Sequence, residues 1–595
     1  MQNSTAKIEN YRMKSLSYLN KYFFKYKWRF LFGILFIIGS NWFKVEMPKF
    51  FGDTTDQLTK WSSNNNPDDL LFYAMKVGGY FLLLSLISGI FLFLTRQTII
   101  IMSRLIEYDL KNEIYKHYQK LNYSFYKKNN TGDLMNRISE DVSYVRMYLG
   151  PGVMYTINLA VLSILVIISM AAISVPLTIA VLVPLPIMSF IIYKVASKIN
   201  TISKTVQKEQ SNMSTIAQET FTGIRVIKAY SRLIESKSKF SKSAENYKNK
   251  SMKLVLVNSF FMPTIFLLIG ISTIVCIYLG GLLYYDNTIT PGNILTFIFY
   301  VNMLTWPFAS IGWVTSLTQR AAASQGRINE FLKTTPEIVN NSTTPFDFQG
   351  VIEFKNVSYT YTNSGIQAAK NLNFKLEKGE TLGIVGRTGS GKSTVLKLLM
   401  RQIDADHGEV LIDGVNIKSI NMEAYRNQTG IVPQEVFLFS DTIKNNLEFG
   451  SVDGNVSEER LTEVTKLAHV YHNIIEFKSK FETLLGERGV NLSGGQKQRL
   501  SIARALIRNP KLLILDDCLS AVDTETEEII LNNLKKTKTT TSLVVSHRIS
   551  SIRNATRIIN IEHGAVNEAG THQELMSSNG IYAEMYKKQL AEENA

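Results

Sequence analysis

The chain has 595 residues, 45% hydrophobic and 19% charged, and its 65 basic against 50 acidic side chains leave a net charge of +15. That length accommodates several domains, and the long apolar runs nearly all fall before residue 320, so the two parts of the chain differ in kind. A basic excess in a chain with apolar spans reads as a positive-inside bias rather than a nucleic-acid surface, and Cys276 in an apolar run and Cys518 beside an acidic pair argue against a structural disulfide.

From the N-terminus, Lys21, Lys25, Lys27 and Arg29 precede the apolar run that begins at Phe30. No small-residue cleavage site follows and the helical pattern continues to about Phe51, so this is an uncleaved first span. Further runs lie near 70–101, 142–173, 177–196, 254–284 and 294–317. Each has the length of about 20 residues that a hydrocarbon layer of roughly 30 Å demands. Six spans put both termini on one side.

The loops say which side. Between spans one and two lie Asp53, Asp56, Asp68 and Asp69 against Lys60, and between five and six lies Asp286 without a basic residue, so these loops face out. The stretch between spans four and five carries twelve lysines and arginines from Lys198 to Lys253 and belongs in the cytoplasm. The inner connections, 103–145 and 198–253, keep an apolar helical rhythm and read as membrane helices extended into the cytoplasm. Each breaks at its far end, at Asn129-Asn130-Thr131-Gly132-Asp133 and at Thr222-Gly223. There a short transverse helix carrying Phe125 and Tyr126, or Phe221 and Tyr230, could dock on another domain. Lys44, Glu46 and Lys49 in the outer half of span one should face a wet cavity or each other, and the spacing of Glu46 and Lys49 permits a pair. Trp306 and Phe308 are candidates for cargo contact, with packing as the alternative.

After Arg327 the spans stop. A linker, 331–349, leads from a transmembrane domain of 1–330 to an α/β domain of 350–595 whose short strands, such as Thr381–Val385, Leu512–Leu515 and Ser542–Val545, alternate with helices. Such alternation implies a largely parallel sheet with its ligand at the strand ends. Gly386-Arg387-Thr388-Gly389-Ser390-Gly391-Lys392-Ser393-Thr394 follows the first of these strands and opens a helix, matching G-x-x-x-x-G-K-[ST] without a gap. Its glycines turn backbone N–H groups toward phosphates, Lys392 reaches the β and γ phosphates, and Ser393 can ligate Mg²⁺. Leu512-Leu513-Ile514-Leu515-Asp516-Asp517 is an apolar strand ending in acid, which puts Asp516 on Mg²⁺ and Asp517 beside the γ-phosphate. Leu492-Ser493-Gly494-Gly495-Gln496 opens another helix and offers a second anion site. Gln434 can touch metal and attacking water, and His547, after a strand, can reach the γ-phosphate.

On these motifs nearly the whole chain resembles the ATP-binding cassette family, with the signature Leu492 to Gln496 close to diagnostic. The resemblance implies that Tyr361 stacks on adenine and that Gln434 is the Q-loop residue. It makes Thr483 to Gly489, with Glu487, the segment facing the membrane domain, Ser520 to Asp523 the D-loop, and His547 the switch histidine. Six spans with long inner extensions resemble the exporter branch in half-transporter form. In that branch two cassettes pair head to tail, each ATP lying between one phosphate loop and the other signature, and the stretches near Tyr123 to Asp133 and Phe221 to Tyr230 couple them to the membrane. The implied activity is ATP-driven export of a hydrophobic or amphipathic substrate, a drug or lipid, and the alternative is an ATP-sensing regulator that moves nothing. No protease-like domain precedes span one, which argues against a peptide-processing exporter. One residue departs from the family pattern: Asp517 stands where a glutamate polarises the attacking water. The site on this chain's own phosphate loop should therefore hold ATP and hydrolyse it poorly, and the partner expected is a related but different half-transporter supplying the glutamate, rather than a second copy.

Overall fold

Apolar runs with a helical rhythm fold into helices as far as Leu332, and the shorter β-branched runs beyond fold into strands. The computed structural model describes residues 14–60, 67–339, 342–362, 364–535 and 540–593. Met1–Lys120 and Asn129–Thr335 make one compact unit, while Leu121–Lys128 groups with Pro336–Ala595 in the second.

In the first unit, five helices among the described residues are long and apolar enough to cross a membrane: Lys27–Thr59, Leu71–Lys120, Thr131–Ile173, Leu233–Tyr285 and Pro291–Leu332. The second of these spans 50 residues, about 75 Å at 1.5 Å per residue, so it continues far beyond a bilayer. The fourth apolar run is divided between Val175–Leu182 and Pro184–Thr222. Pro184 and Pro186 lack the N–H groups that would continue the helical ladder, and seven side chains between 185 and 200 lie outside the described residues. Residues 1–13, the outer loop at 61–66 and linker residues 340 and 341 are also outside them.

Small and polar residues hold the spans together, as they must where lipid offers no hydrophobic drive. Gly52 and Gly292 let spans one and six cross closely, since a Cβ on Gly292 would lie 2.1 Å from the Gly52 carbonyl oxygen. Pro48 lies inside the first helix and removes one N–H from its ladder, and the nearby carbonyls of Val45 and Pro48 accept from the hydroxyls of Tyr300 (3.0 Å) and Thr296 (3.1 Å). Asp56 caps the start of span six through Gly292 N–H (2.8 Å) and the Thr290 hydroxyl. Buried Asn41 donates to half-buried Asn158 at 2.8 Å, an amide pair between spans one and three. Lys44 and Lys49 are exposed and Glu46 is half-buried. The Glu46–Lys49 pair that their spacing permits is not formed among the described residues, because lysine stems in the outer half of a span are long enough to carry the charge to water.

On the cytoplasmic extensions, charge does the joining. Glu113 accepts from Tyr18 (2.5 Å), Tyr22 (2.5 Å) and Lys21 (2.8 Å), and Asp109 one turn earlier accepts from Lys25 (2.6 Å) and Tyr26 (2.9 Å). The segment before span one is thus pinned along the extension of span two. Burial alone would raise Glu113, but its bonds to Lys21, Tyr18 and Tyr22 outweigh burial and hold it below the ordinary carboxylate value. Arg327, at the end of span six, donates to both oxygens of buried Asp141. The expected short helices occur at both breaks, Tyr123–Lys128 and Ile224–Ala229, with Phe221 75% and Tyr230 76% exposed.

The second unit contains, among its described residues, ten strands: β1 Ile352–Tyr361, β2 Ile366–Leu376, β3 Thr381–Val385, β4 His407–Ile412, β5 Val415–Asn416, β6 Thr429–Val432, β7 Leu512–Asp516, β8 Thr541–Val545, β9 Arg557–Glu562 and β10 Ala565–Gly570. Six form a sheet in the order β10-β9-β3-β8-β7-β6, parallel except for β10 against β9. The other four form an antiparallel sheet, β2-β1-β4-β5, which the strand-and-helix alternation of the sequence does not announce. Both faces of the parallel sheet are covered. Leu513 and Leu515 of β7 enter one core while Leu512 and Ile514 enter the other, which is why the strand reads as an unbroken apolar run. In register, Ile384 pairs with Val545 and Asp516 also pairs with Val545, so β3, β7 and β8 end together. The residues following those strands meet at one edge.

Candidate functional site

The phosphate loop leaves β3 through Gly386 and enters the helix Lys392–Leu399 through Gly391. Only glycine fits at either point. A Cβ on Gly386 would stand 2.2 Å from the Ile561 carbonyl oxygen, and one on Gly391, where φ is 108°, 2.3 Å from that of Ala368. The loop therefore packs directly against the backbones of β9 and β2. Lys392 folds back over it, donating to the carbonyls of Gly386 (2.6 Å) and Arg387 (3.0 Å). Burial lowers the Lys392 pKa, against the opposing pull of Asp517 and Asp516.

A cavity of about 350 Å³ opens above this loop. Its wall collects Tyr361 from β1, Thr388 to Thr394, Gln434 beyond β6, Asp516 and Asp517 at the end of β7, and His547 beyond β8. Residues up to 186 positions apart in sequence thus share one wall. Of the candidates on the loop, Gly386 and Arg387 lie behind the lining.

The acidic end of β7 has a defined geometry. Burial and the neighbouring Asp517 carboxylate push Asp516 up to about 6, while Lys392 pulls the other way. Asp517 takes a left-handed backbone (φ 47°), fixed by its N–H bond to the Val545 carbonyl at 2.8 Å. Its two oxygens face two candidates: Nδ1 of His547 at 2.6 Å and Nε2 of Gln434 at 3.3 Å. Asp517, His547 and Gln434 are therefore one hydrogen-bonded group. Ser393, Gln434 and Asp516 offer oxygen donors only, the set that a hard divalent cation shares with phosphate oxygens and water.

Tyr361 is half-exposed at the cavity mouth, its hydroxyl 3.3 Å from that of Thr394. Lys397, which no motif singles out, donates to the same hydroxyl at 3.3 Å and lies 5.6 Å from the ring centre. Its place one turn beyond Ser393 on the loop's own helix is the only sequence signal it carries.

Ser493 to Gln496 do not line this cavity. They form a capping box at the start of the helix Gly494–Leu506: Ser493 accepts from the Gln496 N–H at 3.2 Å, and Gln496 accepts from the Ser493 N–H at 2.9 Å. Gln498, one turn on, ties this helix to Ser520 to Asp523 through Ala521 N–H (3.1 Å) and Ser520 (3.4 Å). Thr483 to Gly489 is likewise tied to the strand-free segment after Gln434, by Ile443 N–H to the Thr483 carbonyl (3.0 Å) and Leu485 N–H to the Asp441 carbonyl (2.9 Å).

Comparison with known proteins agrees with this geometry. Residues 30–308 match the family model described as the ABC transporter transmembrane region, and residues 369–520 match the one described as ABC transporter. The chain is 35% identical over 573 residues to the probable multidrug resistance ABC transporter ATP-binding/permease protein YheI of Bacillus subtilis, covering 96% of each. It is 32% identical over 575 residues to the multidrug resistance-like ATP-binding protein MdlA of Escherichia coli, again covering 96% of each. With the ATP-dependent lipid A-core flippase of Haemophilus influenzae it shares 31% identity over 510 residues, 85% of this chain and 86% of that one.

Proposed function

The chain belongs to the ATP-binding cassette transporter family, and on that premise we propose that it is one half of a dimeric exporter moving a hydrophobic or amphipathic drug or lipid out of the inner leaflet or cytoplasm. It is an integral membrane protein with a cytoplasmic ATPase domain. Cargo chemistry is supported by its relatives, a probable multidrug resistance transporter and a lipid A-core flippase, and by Phe299, Trp306 and Trp313. These three lie along one face of the sixth span and are 39%, 65% and 42% exposed, so Trp306 is not core packing. The side chain of Phe308 lies outside the described residues.

The observation that carries the proposal is the cavity whose wall holds the phosphate loop, Asp516, Asp517, Gln434, His547 and Tyr361 but not the signature. In this reading Thr388 to Thr394 cradle the triphosphate, Gly386 and Gly391 give the loop its close approach, and Tyr361 stacks on the base. Ser393, Asp516 and Gln434 would hold Mg²⁺, which when bound would supply positive charge beside the phosphates. The signature residues Ser493, Gly494, Gly495 and Gln496 complete a site on a second cassette. ATP bound in two such composite sites favours the closed dimer and an outward-open membrane cavity, and loss of the γ-phosphate lets the cassettes part.

Asp517 makes the two sites unequal. Its carboxylate is one methylene short of a glutamate's and is taken up by His547 and Gln434, so this chain's own site retains ATP while a partner supplying glutamate turns over at the other. The partner is then a related half-transporter. The test is to purify the chain alone and with the product of a neighbouring transporter gene: turnover that appears only in the pair and survives Asp517→Asn supports the heterodimer, and brisk turnover by the chain alone that Asp517→Asn abolishes overturns it. Asp517 also favours a second reading, an ATP-sensing regulator with little transport. ATP-dependent dye uptake by inverted vesicles separates the two.

A further inference from the structure

His547 sits on a stretch without regular secondary structure, Ser546 to Ile549, between β8 and the turns that follow. Beyond the Ser546 N–H, which donates to the Ile384 carbonyl at 3.1 Å, no strand ladder holds the backbone there, yet the imidazole must stay within reach of Asp517 and the phosphates. Two side chains, Arg548 of the stretch itself and Gln589 from another element, supply what the ladder does not. Arg548 donates to the Ser520 carbonyl at 3.0 Å, joining this stretch to the segment Ser520 to Asp523. Gln589, on the last helix Ile581–Glu593, takes hold of both sides of residue 548 at once: its Nε2 donates to the His547 carbonyl at 2.6 Å and its Oε1 accepts from the Ile549 N–H at 2.9 Å.

We infer that Gln589 is a positioning residue for His547, so that the C-terminal helix sets the geometry of the nucleotide site. The inference rests on the assignment of His547 to that site. A primary amide is the one side-chain group of this length with a donor and an acceptor in a single plane, and here both are used on one loop. The helix that carries it is firmly placed. Tyr582, two turns before Gln589 and hence on the same face, is fully buried, and the N–H groups of Ile581 and Tyr582 both donate to Glu568 at 2.9 Å. Glu568 is on β10 beside β9, so the parallel sheet that places Asp517 also places the helix that places His547. Both arms of the Asp517–His547 contact are referred to one scaffold.

The test uses the full-length assembly in lipid and Gln589→Met, which keeps length and apolar stem but can neither donate nor accept. Two readouts are taken. Hydrogen exchange across Ser546 to Ile552 should speed by an order of magnitude or more, with Thr541 to Val545 unchanged, because the Ile549 amide loses its acceptor. ATP turnover at this chain's own site, isolated by neutralising the partner's catalytic carboxylate where a partner is present, should fall roughly tenfold at a KM for ATP within about twofold, as expected for a displacement well under 1 Å. In a His547→Ala background, Gln589→Met should cost nothing further. Gln589→Asn, which keeps the amide on a shorter stem, should recover part of the loss. Unchanged exchange, or a loss of equal size without His547, overturns the inference while leaving the nucleotide site intact. If His547→Ala alone leaves turnover unaltered, the assignment of His547 fails and takes this inference with it.

Discussion

Replacing Asp517 by glutamate should raise ATP turnover at this chain's own site by about two orders of magnitude. The backbone at 517 is fixed by the bond from its N–H to Val545, so a longer side chain moves the carboxylate rather than the chain. The extra methylene carries the carboxylate one C–C bond, about 1.5 Å, further into the cavity. A misplacement near 1 Å costs about a hundredfold, so its removal is worth about 2.7 kcal/mol in the barrier at 1.36 kcal/mol per tenfold. Part of this depends on His547 and Gln434 following the carboxylate, since both bond the present one. The assay is phosphate release by the wild type, Asp517→Glu and Asp517→Asn chains in lipid, each in the same assembly and, where a different half-transporter is present, with that partner's catalytic carboxylate neutralised. A gain under about threefold, or a wild type already fast and silenced by Asp517→Asn, would refute the reasoning.

Lys392→Ala should abolish ATP binding at this site, measured by equilibrium binding of a fluorescent ATP analogue, and leave the helical content of the membrane unit unchanged; affinity near wild type would count against its role on the phosphates. Glu113, held below the ordinary carboxylate value, stabilises the contact with Tyr18, Tyr22 and Lys21 above the unfolded pKa and loses that contribution as pH falls through the folded one. The difference in thermal midpoint between wild type and Glu113→Gln should therefore be constant from pH 7 to 5 and close below the ordinary glutamate value of about 4.3, and a difference that persists at lower pH would contradict the assignment.

Much of the nucleotide site was legible because its chemistry sits in short motifs at strand ends. Once Thr381–Val385, Leu512–Leu515 and Ser542–Val545 are read as parallel strands, Lys392, Asp517 and His547 follow to one edge, and the register bears this out. The long cytoplasmic helices and their breaks were legible from rhythm and from Gly223 and Gly132. Other features depend on packing that leaves no local trace. The antiparallel sheet pairs β1 with β4 across the whole phosphate loop, so neither strand signals its partner. The Glu46–Lys49 spacing permits a pair, but spacing sets proximity and not what each charge prefers to face. Tyr18 meets Glu113 across 95 residues, and Gln589 meets His547 across 42; both are single polar side chains without a motif. The interruption at Pro184 was present in the sequence, and hydropathy alone passed over it.

The most direct test of the account is transport itself. The chain, with the half-transporter proposed as its partner, is placed in inverted vesicles, and uptake of a fluorescent amphipathic dye is followed with ATP, without ATP, and with Lys392→Ala. The account predicts uptake that requires ATP and is lost in Lys392→Ala. Vesicles that bind ATP normally yet take up neither this dye nor a labelled lipid, or uptake that persists in Lys392→Ala, would contradict it.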